Sequence, residues 1–374
     1  MRARICATSA FAIVLALGAC GGAGSGGGGG TVMATPAPPA PPPPPPPPPA
    51  AAPESYTPAA AAKPTSGDSL PLGKCVNLSN MLEAPNEGDW GRAFDDMDAT
   101  RIAQEGFSSV RLPVRFSSHA LTAAPYTIDA AFMARVHHVV DTLLAQKLNV
   151  ILDMHHYLEL FSDPAGNQQR FAELWRQVAD SFKTAPNNVW FELINEPNTN
   201  LNDSNLLATI TPALAAVRQT NPTRPVVIGG QNWSGVDSLA TLQIPADPHL
   251  VVTIHDYDPF DFTNQGAPFN TPVLPIGRLF GTAADNAQLD GTLKKVTDFM
   301  AKTGRVPFVG EYGAYEGIPT DQRALYYKTM SAAFASIGVQ SCAWGYTNTF
   351  NLWNDNTGWI TQIVNGISTT TTVQ

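Results

Sequence analysis

Between residues 74 and 344 the chain alternates short apolar runs with longer amphipathic stretches, eight times in succession. The runs at 74–79, 108–112, 149–154, 189–194, 225–229, 250–254, 306–309 and 340–344 read as strands. The stretches at 91–104, 129–146, 167–182, 202–218, 235–243, 287–302 and 320–337, with a short one near 358–366, read as helices. Val150-Ile151-Leu152 and Val226-Val227-Ile228 are continuously apolar, as expected of parallel strands covered on both faces. This pattern predicts an α/β chain closed into a (β/α)8 TIM barrel. An open doubly wound sheet is the competing topology. It would carry a G-x-G-x-x-G turn after its first strand, where this chain has Asn77-Leu78-Ser79-Asn80.

A different composition precedes the alternation. Residues 1–67 hold 15 of the 33 prolines and 10 of the 30 glycines, with Arg2, Arg4, Glu54 and Lys63 as their only charges. Two arginines followed by an apolar stretch from Ile5 to Leu17 read as a signal peptide over 1–19, too short to span a bilayer. Leu17-Gly18-Ala19-Cys20 resembles a bacterial lipobox, so Cys20 is the expected lipidation site, against ordinary secretory cleavage with an incidental cysteine. Export is expected either way: to the outer membrane or cell surface as a lipoprotein, otherwise as a secreted protein. Residues 20–67 read as a disordered linker in which glycines give a swivel and Pro41 to Pro49 a stiff polyproline post. The remaining 307 residues, 68–374, carry 19 basic and 30 acidic side chains, a net −11 that offers nothing to a phosphate backbone; nucleic acid is excluded as a partner. Membrane contact is expected only through the N-terminal lipid, and the body is expected to be a monomer.

A barrel places its chemistry where strands end, on the C-terminal face. Arg111 closes the second candidate strand, His155-His156 follow the third, Asn195-Glu196 the fourth and Asn232-Trp233 the fifth. His255 and Tyr257 follow the sixth, Glu311 the seventh, and Trp344 ends the eighth. A single strand-end glutamate commonly caps a helix or pairs with an arginine. Two of them, Glu196 and Glu311, among His, Asn, Arg and Trp at equivalent heights, point to a shared site. Paired carboxylates with no obvious metal set suit glycosidic bond cleavage, one as a protonated acid and the other ionised. Arg111 would keep the second ionised, Trp344 offers a face for a sugar ring, and Asn195 a hydrogen bond to a hydroxyl.

The stretch from Leu72 to Trp359 resembles glycoside hydrolase family 5, retaining (β/α)8 enzymes that include endo-β-1,4-glucanases. The likeness rests on Asn77-Leu78-Ser79-Asn80-Met81-Leu82-Glu83-Ala84-Pro85, Val110-Arg111-Leu112-Pro113, Asp153-Met154-His155-His156, Asn195-Glu196-Pro197, His255-Asp256-Tyr257, Gly310-Glu311-Tyr312-Gly313 and Trp344. It implies Glu196 as acid/base, Glu311 as nucleophile, and Arg111 and Tyr257 in contact with the nucleophile. It further implies that His155, His156 and His255 order the network, that Asn195 binds the 2-hydroxyl, and that Asn80, Glu83 and Trp233 shape glucan subsites with His156 and Trp344. The substrate it implies is β-1,4-glucan (cellulose, carboxymethylcellulose or mixed-linkage β-glucan), with mannan or xyloglucan as alternatives and no cofactor.

Two other classes compete. A metal-dependent hydrolase would use Asp153, His155-His156 and His255-Asp256, but no H-x-H or H-E-x-x-H is present. A non-catalytic glycan-binding protein is disfavoured by two intact carboxylates. The sequence also departs from the family's common pattern, with Cys75 and Ser79 where glycines are usual. Cys75 and Cys342 become neighbours when a barrel closes, and a disulfide or two free thiols are both open. The Gly- and Pro-containing stretch 260–281 reads as an irregular loop over the cleft.

Overall fold

A computed structural model describes residues 56–371; the expected signal peptide, Cys20 and the expected linker up to residue 55 lie outside the described residues. Eight strands run Cys75–Asn77 (β1), Ser109–Val114 (β2), Asn149–Met154 (β3), Val189–Glu192 (β4), Val226–Gly229 (β5), Leu250–His255 (β6), Phe308–Tyr312 (β7) and Ser341–Ala343 (β8). They pair in parallel in sequence order, and β1 closes on β8 through Cys75↔Cys342 and Val76↔Ala343. The fold is therefore a closed (β/α)8 barrel, with helices Asp96–Gln104, Ala130–Ala145, Pro164–Ser181, Leu206–Arg218, Ala283–Thr303 and Thr320–Ser336 packed outside it.

Local chemistry sets the helix boundaries. Asp95 accepts the amide of Met97, and Asp98 returns a carboxylate to the amide of Asp95; Thr282 and Asp285 form the same reciprocal cap. After β5 the expected helix at 235–243 is reduced to two short turns, Gln231–Ser234 and Val236–Ala240. Gly230 and Gly235 flank the first turn, and Pro245 follows the second, so no long helical run can propagate there. After β8, a hairpin of Trp353–Asn354 and Gly358–Trp359 precedes the single turn Thr361–Val364.

Residues 56–67 have linker composition, yet they are strapped to the N-terminal end of the barrel. The amides of Ala59, Ala62, Thr65 and Asp68 donate to the carbonyls of Ala335, Gly338, Gly304 and Leu250 at 2.9, 2.9, 2.7 and 3.2 Å. The strap delivers Leu70 and Leu72 into the barrel, where they pack with Cys75, Ile151, Trp190, Val227, Val251, Phe308 and Cys342. This apolar floor is separate from the larger core between strands and helices. Cys75 and Cys342 are joined as a disulfide, with Cα atoms 4.4 Å apart, so the seam where the first strand meets the last is covalent.

Candidate active site

Side chains two residues apart on a strand share a face. On β1, β3, β4 and β6 the residues after Cys75, Ile151, Trp190 and Val251 by this step are Asn77, Asp153, Glu192 and Thr253, all buried. The apolar floor therefore gives way within one step to a polar layer, and Arg111 of β2 lies in it, wholly buried. Its Nε and Nη2 donate to the two oxygens of Glu192 at 2.8 Å each. Nη2 also reaches Asn195 Oδ1 at 2.8 Å, and Nη1 reaches Asn77 Oδ1 at 3.0 Å and Glu311 Oε1 at 2.7 Å. Asp153 Oδ2 stands 3.1 Å from Nη2.

Above this layer stand the two candidate carboxylates. Glu311 reaches the axis at an irregularity in the β6–β7 ladder, where pairing passes from Ile254↔Val309 to His255↔Glu311 and skips Gly310. A Cβ on residue 310 would lie 2.5 Å from Thr253 Oγ1 and 2.9 Å from His255 Nε2, so only glycine fits. Glu196 follows β4 on a left-handed residue (φ 48°), a strained conformation that turns its side chain out of the strand direction. Tyr257 donates its phenolic hydrogen to Glu311 Oε2 at 2.8 Å. His255 Nδ1 lies 2.9 Å from Glu196 Oε1 and 3.6 Å from Glu311 Oε2. One oxygen from each glutamate and a ring nitrogen of His255 all lie within 4.8 Å of one another.

The two glutamates differ in what they touch. Burial pushes the Glu196 carboxyl up to about 8. Burial raises Glu311 too, while His255, Arg111 and Tyr257 oppose it. Only Glu311 receives hydrogen bonds from a guanidinium and a phenol, both of which favour the anion, so it is the carboxylate that ionises first. Burial also lowers the His255 and His155 imidazoles, which are neutral at neutral pH. His155 bridges Asp153, through Nδ1, and Asn195 Nδ2, 3.2 Å from its Nε2. With Asn195 donating, the proton of His155 sits on Nδ1 and points at Asp153.

The five remaining residues expected at the site are Trp344, His156, Trp233, Asn80 and Glu83. Trp344 is half-buried, and its ring lies nearly parallel to that of His155, with centroids 5.8 Å apart. His156, half-buried and left-handed (φ 51°), packs edge-to-face on His155, with ring centroids 4.5 Å apart, and on Trp90 at 5.3 Å. Trp233, exposed, lies on three consecutive left-handed residues and is tied by its amide to the carbonyl of Pro197, beside the segment that follows Glu196. Asn80 is half-buried at the turn after β1. Glu83 needs a correction: it is 1% exposed, and its carboxylate is occupied by the amides of Asn80 and Met81, so it shapes that turn from beneath and presents nothing to a substrate. Asn77, Glu192 and Trp90 were missed. Glu192 carried a signal, a charge in the apolar run Val189-Trp190-Phe191; Trp90 carried none, since it lies in an irregular loop.

Among the described residues, only Glu196, His255 and Glu311 form a group of three His, Cys, Asp or Glu close enough to share a metal ion. The histidine pair of the metal-hydrolase reading lies outside that group: His155 is spent on Asp153 and Asn195, and His156 packs against the rings of His155 and Trp90.

The model for cellulase (glycosyl hydrolase family 5) matches residues 73–349. Endoglucanase H of Acetivibrio thermocellus is 34% identical over 282 residues, covering 73% of this chain and 29% of its own length. The cellulase/esterase CelE of the same organism is 27% identical over 298 residues, covering 73% and 35%. The chain thus spans about a third of these two curated relatives. Among solved structures, an endoglucanase superposes with a TM-score of 0.77 at 34% identity, covering 79% of this chain and 96% of its own. Thermotoga maritima Cel5A does so with 0.77 at 32% identity, covering 79% and 97%, in complexes with mannotriose and with cellobiose. The chain belongs to glycoside hydrolase family 5.

Proposed function

We propose that the protein is a retaining, endo-acting β-glycoside hydrolase that cleaves β-1,4-glucan. The observation that carries this reading is the pair of strand-end glutamates with oxygens within 4.8 Å, one rigged as an anion by Arg111 and Tyr257 and the other raised to about 8. A retaining pair stands about 5–5.5 Å apart, whereas an inverting pair leaves about 6.5–9.5 Å for a water. In the first step a Glu311 oxygen bonds the anomeric carbon as the bond to the leaving oxygen breaks, and Glu196 passes its proton to that oxygen. In the second, Glu196 takes a proton from water, the water oxygen bonds the same carbon, and Glu311 is released. His255 Nδ1 stands between the two carboxyls. The endoglucanase relatives support glucan as the substrate. The mannotriose complex of the Thermotoga enzyme supports glucomannan as a second one.

Hydrolysis of carboxymethylcellulose, barley β-glucan and glucomannan side by side tests the substrate, and the anomer first released tests the stereochemistry. An α-configured first product refutes the retaining assignment. Turnover abolished by a chelator refutes the metal-free mechanism. We propose further that residues 1–19 direct export and that Cys20 carries a lipid on an otherwise monomeric body. Loss of labelled palmitate from Cys20→Ala would support this, and unlabelled wild type would refute it.

A further inference from the structure

All five N–H groups of Arg111 have acceptors, and their distribution is unequal. The planar fork of Nε and Nη2 is spent on Glu192, while Glu311 receives a single N–H from Nη1. We propose that Glu192 is a positioning residue that sets the strength of Glu311 as a nucleophile by holding the Arg111 guanidinium away from a two-armed grip on it. The proposal rests on the reading of Glu311 as the nucleophile.

Guanidinium and carboxylate pair most strongly as fork to fork. Arg111 has three carboxylates within 3.1 Å, those of Asp153, Glu192 and Glu311, and only one can hold its Nε/Nη2 edge. Glu192 comes from β4, directly across from Asp153 of β3, and is fully buried beneath the site, with both oxygens accepting from Arg111. Released from Glu192, the guanidinium turns to Glu311, because the Asp153 oxygen that faces it is already shared with His155. Two strong donors on Glu311 would hold its negative charge in place and compete with Tyr257 for Oε2, making it a weaker base and a slower nucleophile. The one-armed contact keeps Glu311 ionised and still reactive.

The test is Glu192→Gln, which keeps the shape but can accept only one of the two N–H groups. Three quantities are read: the rate at which a 2-deoxy-2-fluoro-β-cellobioside with an activated leaving group labels Glu311, the acid limb of kcat/KM, and thermal unfolding. Labelling and kcat should fall about ten- to a hundredfold with KM nearly unchanged. The acid limb should move to lower pH, because a negative charge has left and Arg111 has turned to Glu311. Glu192→Asp, which keeps the charge, should recover part of the rate. If Glu192→Gln does not fold, Glu192→Asp must show the same acid-limb shift in smaller measure; an unmoved limb overturns the proposal. A merely structural role would loosen Arg111 and move the limb upward or not at all, and either result overturns the proposal, as does labelling at the wild-type rate. Wild type that takes no label on Glu311 overturns the nucleophile assignment, and this proposal with it.

Discussion

At the N-terminal end of the barrel, Cys75, Ile151, Trp190 and Val251 face inward. One step along the same strands, Asn77, Asp153, Glu192 and Thr253 do so. That step is only about 6.6 Å. Below it, apolar side chains and a disulfide seal the barrel, and each buried group adds to stability. Above it, Arg111 sits among three carboxylates, an arrangement that desolvation makes costly and that well-packed apolar residues could replace without loss of stability. The backbone follows the same division: His156, Glu196, Asn232 and Trp233 all hold left-handed conformations at the mouth. One end is built to hold the fold and the other is strained to do chemistry, so variants at the two ends should separate rate from stability.

The largest effects belong to the mouth. Glu311→Ala should lower kcat on soluble glucan by roughly 10⁴-fold or more, with the unfolding midpoint unchanged or raised, since a buried carboxylate has gone. A midpoint that falls by several degrees would break the division between the ends. Glu196→Gln should cost on the order of 10²–10⁴-fold, least on substrates with a good leaving group that needs no proton. In wild type the acid must be protonated. Activity should therefore fall as pH rises through the value near 8 to which burial holds Glu196, and that alkaline limb should vanish in Glu196→Gln.

The floor should respond in the opposite sense. Replacing both Cys75 and Cys342 by alanine removes a cross-link between residues 267 apart and should cost about 2–5 kcal/mol in denaturant unfolding. Rates at low temperature should stay close to wild type. A tenfold loss of kcat in a folded double variant would mean that the floor reaches the chemistry, and the contrast drawn here would fail.

The barrel was legible because its strands are continuous apolar runs and its helices amphipathic, signals that do not depend on distant contacts. The strand-end residues were legible for the same reason, since position along a strand predicts height in the barrel. What could not be read was pairing. Glu192 stands out as a charge in an apolar run, but nothing in that run names Arg111 as its partner. The strap at 56–67 has the composition of a linker, and what attaches it is pairing that composition does not announce: backbone hydrogen bonds to Ala335, Gly338, Gly304 and Thr371, and the Tyr56 hydroxyl on Asp290. Cys75 and Cys342 could be placed side by side, but whether they bond depends on a local approach that sequence does not carry.

Glu83 sharpens the comparison because it sits at the mouth and does the work of the floor. Its carboxylate accepts the amides of Asn80 and Met81, yet burial outweighs those bonds and pushes it up to about 8. The folded protein therefore holds this proton more tightly than the unfolded chain does. Between the ordinary carboxyl range and about pH 8 the native state carries more protons, so the stability Glu83 contributes is full at low pH and is lost as pH rises through that window. Glu83→Gln keeps one acceptor and sets an amide nitrogen against an N–H, which should cost about 1–3 kcal/mol. It should also remove the Glu83 share of the pH dependence, so that variant and wild type converge toward pH 8 and differ most near pH 5. Any kinetic effect should appear in KM, through the turn that carries Asn80, with kcat intact. Should kcat fall instead while stability is unchanged, Glu83 belongs with the chemistry, and the line between the two ends has to be redrawn around the first turn of the barrel.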